Sequence, residues 1–123
     1  MVEGYKFWGS PYSLEFCDWG FSLQPEDAEK FWEQIDKDSE IILTHGPPYS
    51  YGDKVKKGPM AGDKALLNAI RKIRPLFHIF GHIHEGYGIY EGIDEDKGIT
   101  FINCSINNYN YKPINSPIVV KVP

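Results

Sequence analysis

Apolar positions along the chain fall into a few periodic blocks, and each block predicts an element. Tyr5 to Trp8 is aromatic and extended in character, and Gly9, Ser10 and Pro11 are expected to break it. Residues 12–23 are rich in aromatics but show no clean period, so they read as a structured loop. From Pro25 the period changes to that of a helix. Proline suits the first helical position, and Glu26 and Asp27 complement the positive end of the helix dipole. Ala28, Phe31, Trp32 and Ile35 then share one face, opposite Glu29, Lys30, Glu33 and Asp36. Ile41, Ile42 and Leu43 are continuously apolar, as a buried strand of an α/β sheet would be. The long loop THGPPYSYGDKVKKGPMAG follows; loops of this length in a small domain are usually functional or mobile.

A second helix is predicted from Asp63 to Arg74. Ala65, Leu66, Ala69, Ile70 and Ile73 form its apolar face, Arg71, Lys72 and Arg74 suit its C-terminal end, and Pro75 stops it. A second apolar strand, Leu76 to Phe80, runs straight into GHIHEGYG. Beyond it the pattern is β only. Tyr87–Tyr90 and Ile99–Asn103 read as a hairpin around the acidic turn DEDKG, and Pro117–Val122 as a last strand. The order β, α, β, α, β, β, β, β predicts an α/β layered domain with a predominantly antiparallel C-terminal part.

Two loops carry candidate chemistry. His45 follows the strand IIL, and His82 and His84 follow the strand LFHIF. Ligands of open α/β sheets collect beyond the carboxyl ends of the strands, and the helix between these two makes them candidate parallel neighbours. Three imidazoles would then converge on one sheet edge, and imidazole is a common metal ligand. His78, inside a strand, reads instead as a core histidine. Asp53 reads as a turn residue, with an alternative as a partner that orients a histidine or a loop amide. Asn103 reads as a residue that ties down a loop, and Glu85 as a solvated loop carboxylate. Lys54, Lys56 and Lys57 read as a solvated basic face, and Trp8, Trp19 and Trp32 as core or interface anchors.

Composition narrows the picture. The 123 residues are one domain's worth of chain, and 41% hydrophobic with 24% charged excludes general disorder. A net charge of −4 argues against nucleic-acid binding by bulk charge. The apolar runs are too short to span a membrane, and the N-terminal residues lack a signal-peptide pattern. Cys17 and Cys104 are far apart and in no metal-binding spacing, which suits free thiols in a cytoplasmic setting, with one disulfide as the alternative.

THGPP at 44–48 and GHIH at 81–84 resemble the last two sequence blocks of the calcineurin-like metallophosphoesterases. The longer stretches KFWGSPYSLEFCDWGFSL, IILTHGPPYSYGD, IRPLFHIFGHIHEGYG and FINCS resemble its metallophosphoesterase-domain-containing branch, so the likeness runs from about Gly4 onward. The resemblance implies a four-layer α/β/β/α sandwich with a two-metal site that hydrolyses phosphoesters. It further implies that His45 and His82 are ligands of one divalent ion (Mn, Fe or Zn) and His84 of the other. Its implied substrate is a small phosphodiester such as a cyclic nucleotide.

The family's earlier blocks, D-x-H, G-D-x-x-D/N and G-N-H, do not occur in this sequence. The 123 residues therefore read as one partial domain, the C-terminal half of the sandwich. Hydrolysis is then expected to need the missing half from another chain or a longer version of this one, and one sheet face is expected to be open to self-association or a partner. The alternative is a catalytically silent metal-binding or interaction domain that uses the three histidines. A third is a relic that folds poorly.

Overall fold

The computed structural model describes residues 4–14, 22–53, 62–105 and 112–122. Five strands form the main sheet: β1 (Phe7–Ser10), β4 (Ile41–Thr44), β5 (Phe77–Phe80), β6 (Gly88–Glu91) and β7 (Thr100–Asn103). Their spatial order is β1-β4-β5-β7-β6. Two-residue strands β2 (Ser13–Leu14) and β3 (Ser22–Leu23) pair with each other in parallel. Helices α1 (Pro25–Trp32) and α2 (Lys64–Ile73) supply the two crossovers that make β1, β4 and β5 parallel.

The predicted antiparallel C-terminal part is reduced to one pair. β6 and β7 run antiparallel, but β7 lies between β6 and β5 and pairs with β5 in parallel, from Phe77↔Thr100 to Phe80↔Asn103. The chain overshoots β5, forms the edge strand β6, and returns through the acidic turn to fill the gap. Pro117–Val122, predicted as a strand, has no ladder partner among the described residues. Ile118 and Val120 of this segment pack against Ile41, Phe77 and Ile102 of the sheet. The first strand is displaced by about two residues from its prediction. Gly9 does not break it, because it sits at an edge opposite Leu43, where a missing side chain costs little. Pro11, without an N–H, follows its end.

The helices end where their sequences direct. Pro25 opens α1. The Asp63 carboxylate caps α2 by accepting from the Leu66 amide, and Arg74 closes it in the left-handed conformation. Ile35 falls in the turn after α1 and is still buried.

Strand alternation divides the apolar residues between two faces. Ile42, Phe80 and Phe101 point toward the helices and meet Trp32, Leu66 and Ile70 there. The opposite face carries Ile41, Phe77 and Ile102 under Tyr5, Leu76, Ile118 and Val120. The register places Phe7 beside Ile41, Leu43 beside Ile79 and Ile89 beside Ile102 on that same face. Phe7 and Leu43 are each 39% exposed and Ile89 52%, so this second face is only partly covered.

Candidate metal centre

His45 follows β4 and Gly81–His82 follow β5, so the parallel pairing of these strands brings the two loops together. The Gly81 amide donates to the His45 carbonyl at 3.0 Å. The rings meet beyond this backbone link: His45 Nε2 lies 3.1 Å from His82 Nδ1, with ring centroids 4.7 Å apart. His82 has a φ of 70°, and the Ile83 amide donates to the Gly81 carbonyl across it at 2.8 Å. That is the rarer, strained form of γ-turn, which costs a non-glycine residue roughly 1–3 kcal/mol. The fold holds His82 in this conformation against its local preference. Burial, followed by the neighbouring His45 and His84 rings, pushes the His82 imidazole below its ordinary pKa and keeps it neutral.

Three buried polar side chains hold the loops. Asn103, at the end of β7, donates from Nδ2 to the Gly52 carbonyl at 2.9 Å and the Ile83 carbonyl at 2.7 Å. Its Oδ1 accepts from the Ser105 amide. It thus ties the His45 loop to the His82 loop, the structural role read from its position. The two loops touch there: a Cβ on Gly86 would fall 2.0 Å from the Gly52 carbonyl oxygen. Asp53 is fully buried, and its Oδ2 accepts from the Ser50 and Gly62 amides, so it orients loop amides rather than a histidine. His78 is a core histidine, as expected, and its Nε2 lies 2.9 Å from the Thr44 hydroxyl. Thr44 donates in turn to the Gly46 carbonyl at 2.7 Å.

The Thr44–His78 link escaped the sequence reading. Its signal was two polar residues at helix-facing positions of adjacent strands, where the alternation calls for apolar ones. Burial lowers the His78 pKa from 6.5 to about 3. The unfolded chain takes up this proton as pH falls below about 6.5 and the folded chain does not, so stability falls with pH across that interval. The slope from this one group is roughly 1 kcal/mol per pH unit. Urea unfolding at a series of pH values is expected to show a shallower acid slope in His78→Gln than in the unaltered chain; equal slopes would remove His78 as the cause.

His84 opens a short 3-10 turn, His84–Gly86. Among the described residues no group of three or more His, Cys, Asp or Glu side chains is gathered to hold an ion. The structure brings together His45 and His82; it does not assemble the three-histidine cluster on which a carboxylate-free tetrahedral site would depend. Glu85 is exposed, as expected, and Cys104 is an exposed free thiol. Trp32 is a core anchor and Trp8 packs against it. Cys17, Trp19, Lys54, Lys56 and Lys57 lie outside the described residues. No described helix is long and apolar enough to cross a membrane.

Two ligand nitrogens held ~2.1 Å from one ion at roughly 90–110° are separated by about 3.0–3.4 Å. The His45–His82 nitrogen separation falls in that range, and it is also the length of a hydrogen bond between the two rings, its direction set by the tautomers.

No protein-family profile matches the chain. It is 42% identical over 126 residues to metallophosphoesterase domain-containing protein 1 of Homo sapiens, and equally to that of Mus musculus. These alignments cover 99% of this chain and 37% of each relative. A UPF0046 protein of Caenorhabditis elegans is 34% identical over 122 residues, covering 98% of this chain and 30% of that one. The chain thus spans about a third of the length of these relatives, from 30% to 37%.

Proposed function

Because the chain belongs with the metallophosphoesterase domain-containing proteins, we propose that it is the C-terminal half of a calcineurin-like, metal-dependent phosphodiesterase. The observation that carries this reading is the pair of imidazole nitrogens 3.1 Å apart beyond two adjacent parallel strands. His45 and His82 hold one divalent ion (Mn, Fe or Zn), and His84 contributes to a second. When bound, such ions polarise a phosphoryl group and activate water. Burial keeps His82 neutral and able to ligate, and Asn103 and the Gly81–His45 backbone link hold the two loops in register. The carboxylate that would bridge two ions comes from the other half of the sandwich, since no suitable acidic group joins the histidines among the described residues.

The half-covered sheet face supports that architecture. Phe7, Leu43 and Ile89 lie on one face, where a second sheet, supplied by a longer chain or a partner, would bury them. The substrate class we assign is a small phosphodiester such as a cyclic nucleotide, and the exposed Cys104 thiol suits the reducing cytoplasm.

Elemental analysis of the purified chain after loading with manganese or zinc tests the site. About one ion per chain is expected, lost in His45→Ala and in His82→Ala, with phosphodiesterase activity appearing only when the complementary half is supplied. Retention of the ion in both variants would overturn the assignment.

A further inference from the structure

We propose that Thr44 and His78 are positioning residues for His45, a reading whose consequence for metal binding, though not its geometry, rests on the function proposed above. His45 is exposed, and beside the contact of its ring with His82 its direction depends on the backbone that carries it. One end of that backbone is fixed by the Gly81 amide on the His45 carbonyl. The next carbonyl, that of Gly46, is held by the Thr44 hydroxyl at 2.7 Å.

A threonine hydroxyl has one proton. Once Thr44 gives it to Gly46, its oxygen can only accept from His78 Nε2 at 2.9 Å. That bond fixes His78 as the Nε2–H tautomer and leaves Nδ1 buried without a partner. The His78 ring lies among apolar neighbours, 5.1 Å from the Phe80 ring and 6.0 Å from the Phe101 ring between centroids. A phenylalanine or leucine would satisfy such a site with no stranded nitrogen, and a stranded buried acceptor costs roughly 1–3 kcal/mol. The donor function of Nε2 offsets that cost: it locks the threonine rotor so that the hydroxyl proton faces Gly46. The relay therefore runs from the centre of β5, across to the end of β4, and out to the Gly46–Pro47 peptide unit, one residue beyond His45.

The test uses the 123-residue chain and two readouts. The first, without metal, is hydrogen exchange of the Gly81 amide, which reports the His45–Gly81 link, compared with core amides such as that of Ile70. The second is zinc affinity. Thr44→Val, which keeps the shape and removes the hydroxyl, is expected to speed Gly81 exchange about tenfold or more beyond any change at Ile70. His78→Leu reaches the same result from the other end of the relay and serves if Thr44→Val does not fold. Thr44→Ser and His78→Gln, which restore the hydroxyl and the donor, are expected to return Gly81 exchange toward that of the unaltered chain. Zinc affinity is expected to fall roughly 10–100-fold in Thr44→Val and His78→Leu and to recover in the conservative variants. Gly81 exchange that merely follows Ile70 in Thr44→Val and His78→Leu, or that the conservative variants do not restore, overturns the positioning role. If the unaltered chain binds no zinc, the metal-site reading fails, and Gly81 exchange still decides whether the relay sets the loop.

Discussion

Trp32→Ala is expected to cost about 4 kcal/mol or more of folding stability, enough to leave a large unfolded population in a domain whose total is about 5–15 kcal/mol. The side chain is 1% exposed at the end of α1, edge-on to Trp8 and Phe31. Truncation would leave a cavity between the sheet and both helices. A second loss adds to it. The indole N–H donates to Asp63 Oδ2 at 2.7 Å, and the other carboxylate oxygen, Oδ1, caps α2 on the Leu66 amide. Asp63 also pairs through its backbone with Pro47 and Tyr49, so the same residue anchors the loop that follows His45. Trp32→Phe separates the two contributions. It refills most of the volume but strands a buried carboxylate oxygen, for roughly 1–3 kcal/mol. Urea unfolding of the two variants should therefore place Phe well above Ala. Equal midpoints would mean that the hydrogen bond, not packing, dominates.

The features visible in the sequence were those with a local cause. Pro25, the i, i+3, i+4, i+7 spacing around Trp32, and Asp63 before an amphipathic run specify where two helices stand. Continuous apolar runs mark β4 and β5 as buried strands, and their matching ends place His45 and His82 together. What was not legible depends on long-range pairing. Nothing local distinguishes β7 beside β6 alone from β7 inserted between β6 and β5, because both arrangements bury the same Phe101 and Ile102. The segment Pro117–Val122 has strand-like alternation, yet a strand needs a partner as well as a pattern, and none of the described residues pairs with it. His82 offers no residue-level sign of its positive φ. A glycine there would have signalled the turn, whereas a histidine conceals it.

Asp96→Ala is the other substitution expected to be severe, by roughly 3–5 kcal/mol, toward the lower end because the Arg71 side chain remains a third exposed. Asp96 sits in the acidic turn of the predicted hairpin, yet it is 1% exposed. Arg71 from α2 grips both its oxygens, Nε on Oδ1 at 2.6 Å and Nη2 on Oδ2 at 3.1 Å, and the Tyr51 hydroxyl donates to Oδ2 at 2.8 Å. Burial alone would raise the Asp96 carboxyl, but the hydrogen bonds from Arg71 and Tyr51 hold it below its ordinary value. Its contribution is therefore present above about pH 4 and is lost as pH falls through the lowered value, at more acidic pH than the onset of the His78 effect.

The damage should also reach the candidate site. Tyr51 belongs to the His45 loop, stacks on Phe101 with centroids 3.9 Å apart, and accepts the Ile93 amide on its hydroxyl. Losing Asp96 removes the acceptor of that hydroxyl's proton and leaves Tyr51 tied to the turn only through the Ile93 amide. Replacing both partners, Arg71→Met with Asp96→Leu, should cost less than Asp96→Ala alone, because Arg71 is then not left half-paired, holding only the exposed Glu95 carboxylate 3.2 Å from Nη2. Chemical unfolding of the single and double variants checks the order. If the double variant is the weaker, the Arg71–Asp96–Tyr51 geometry itself, rather than avoidance of a half-paired guanidinium, is what stabilises the turn against the histidine loop.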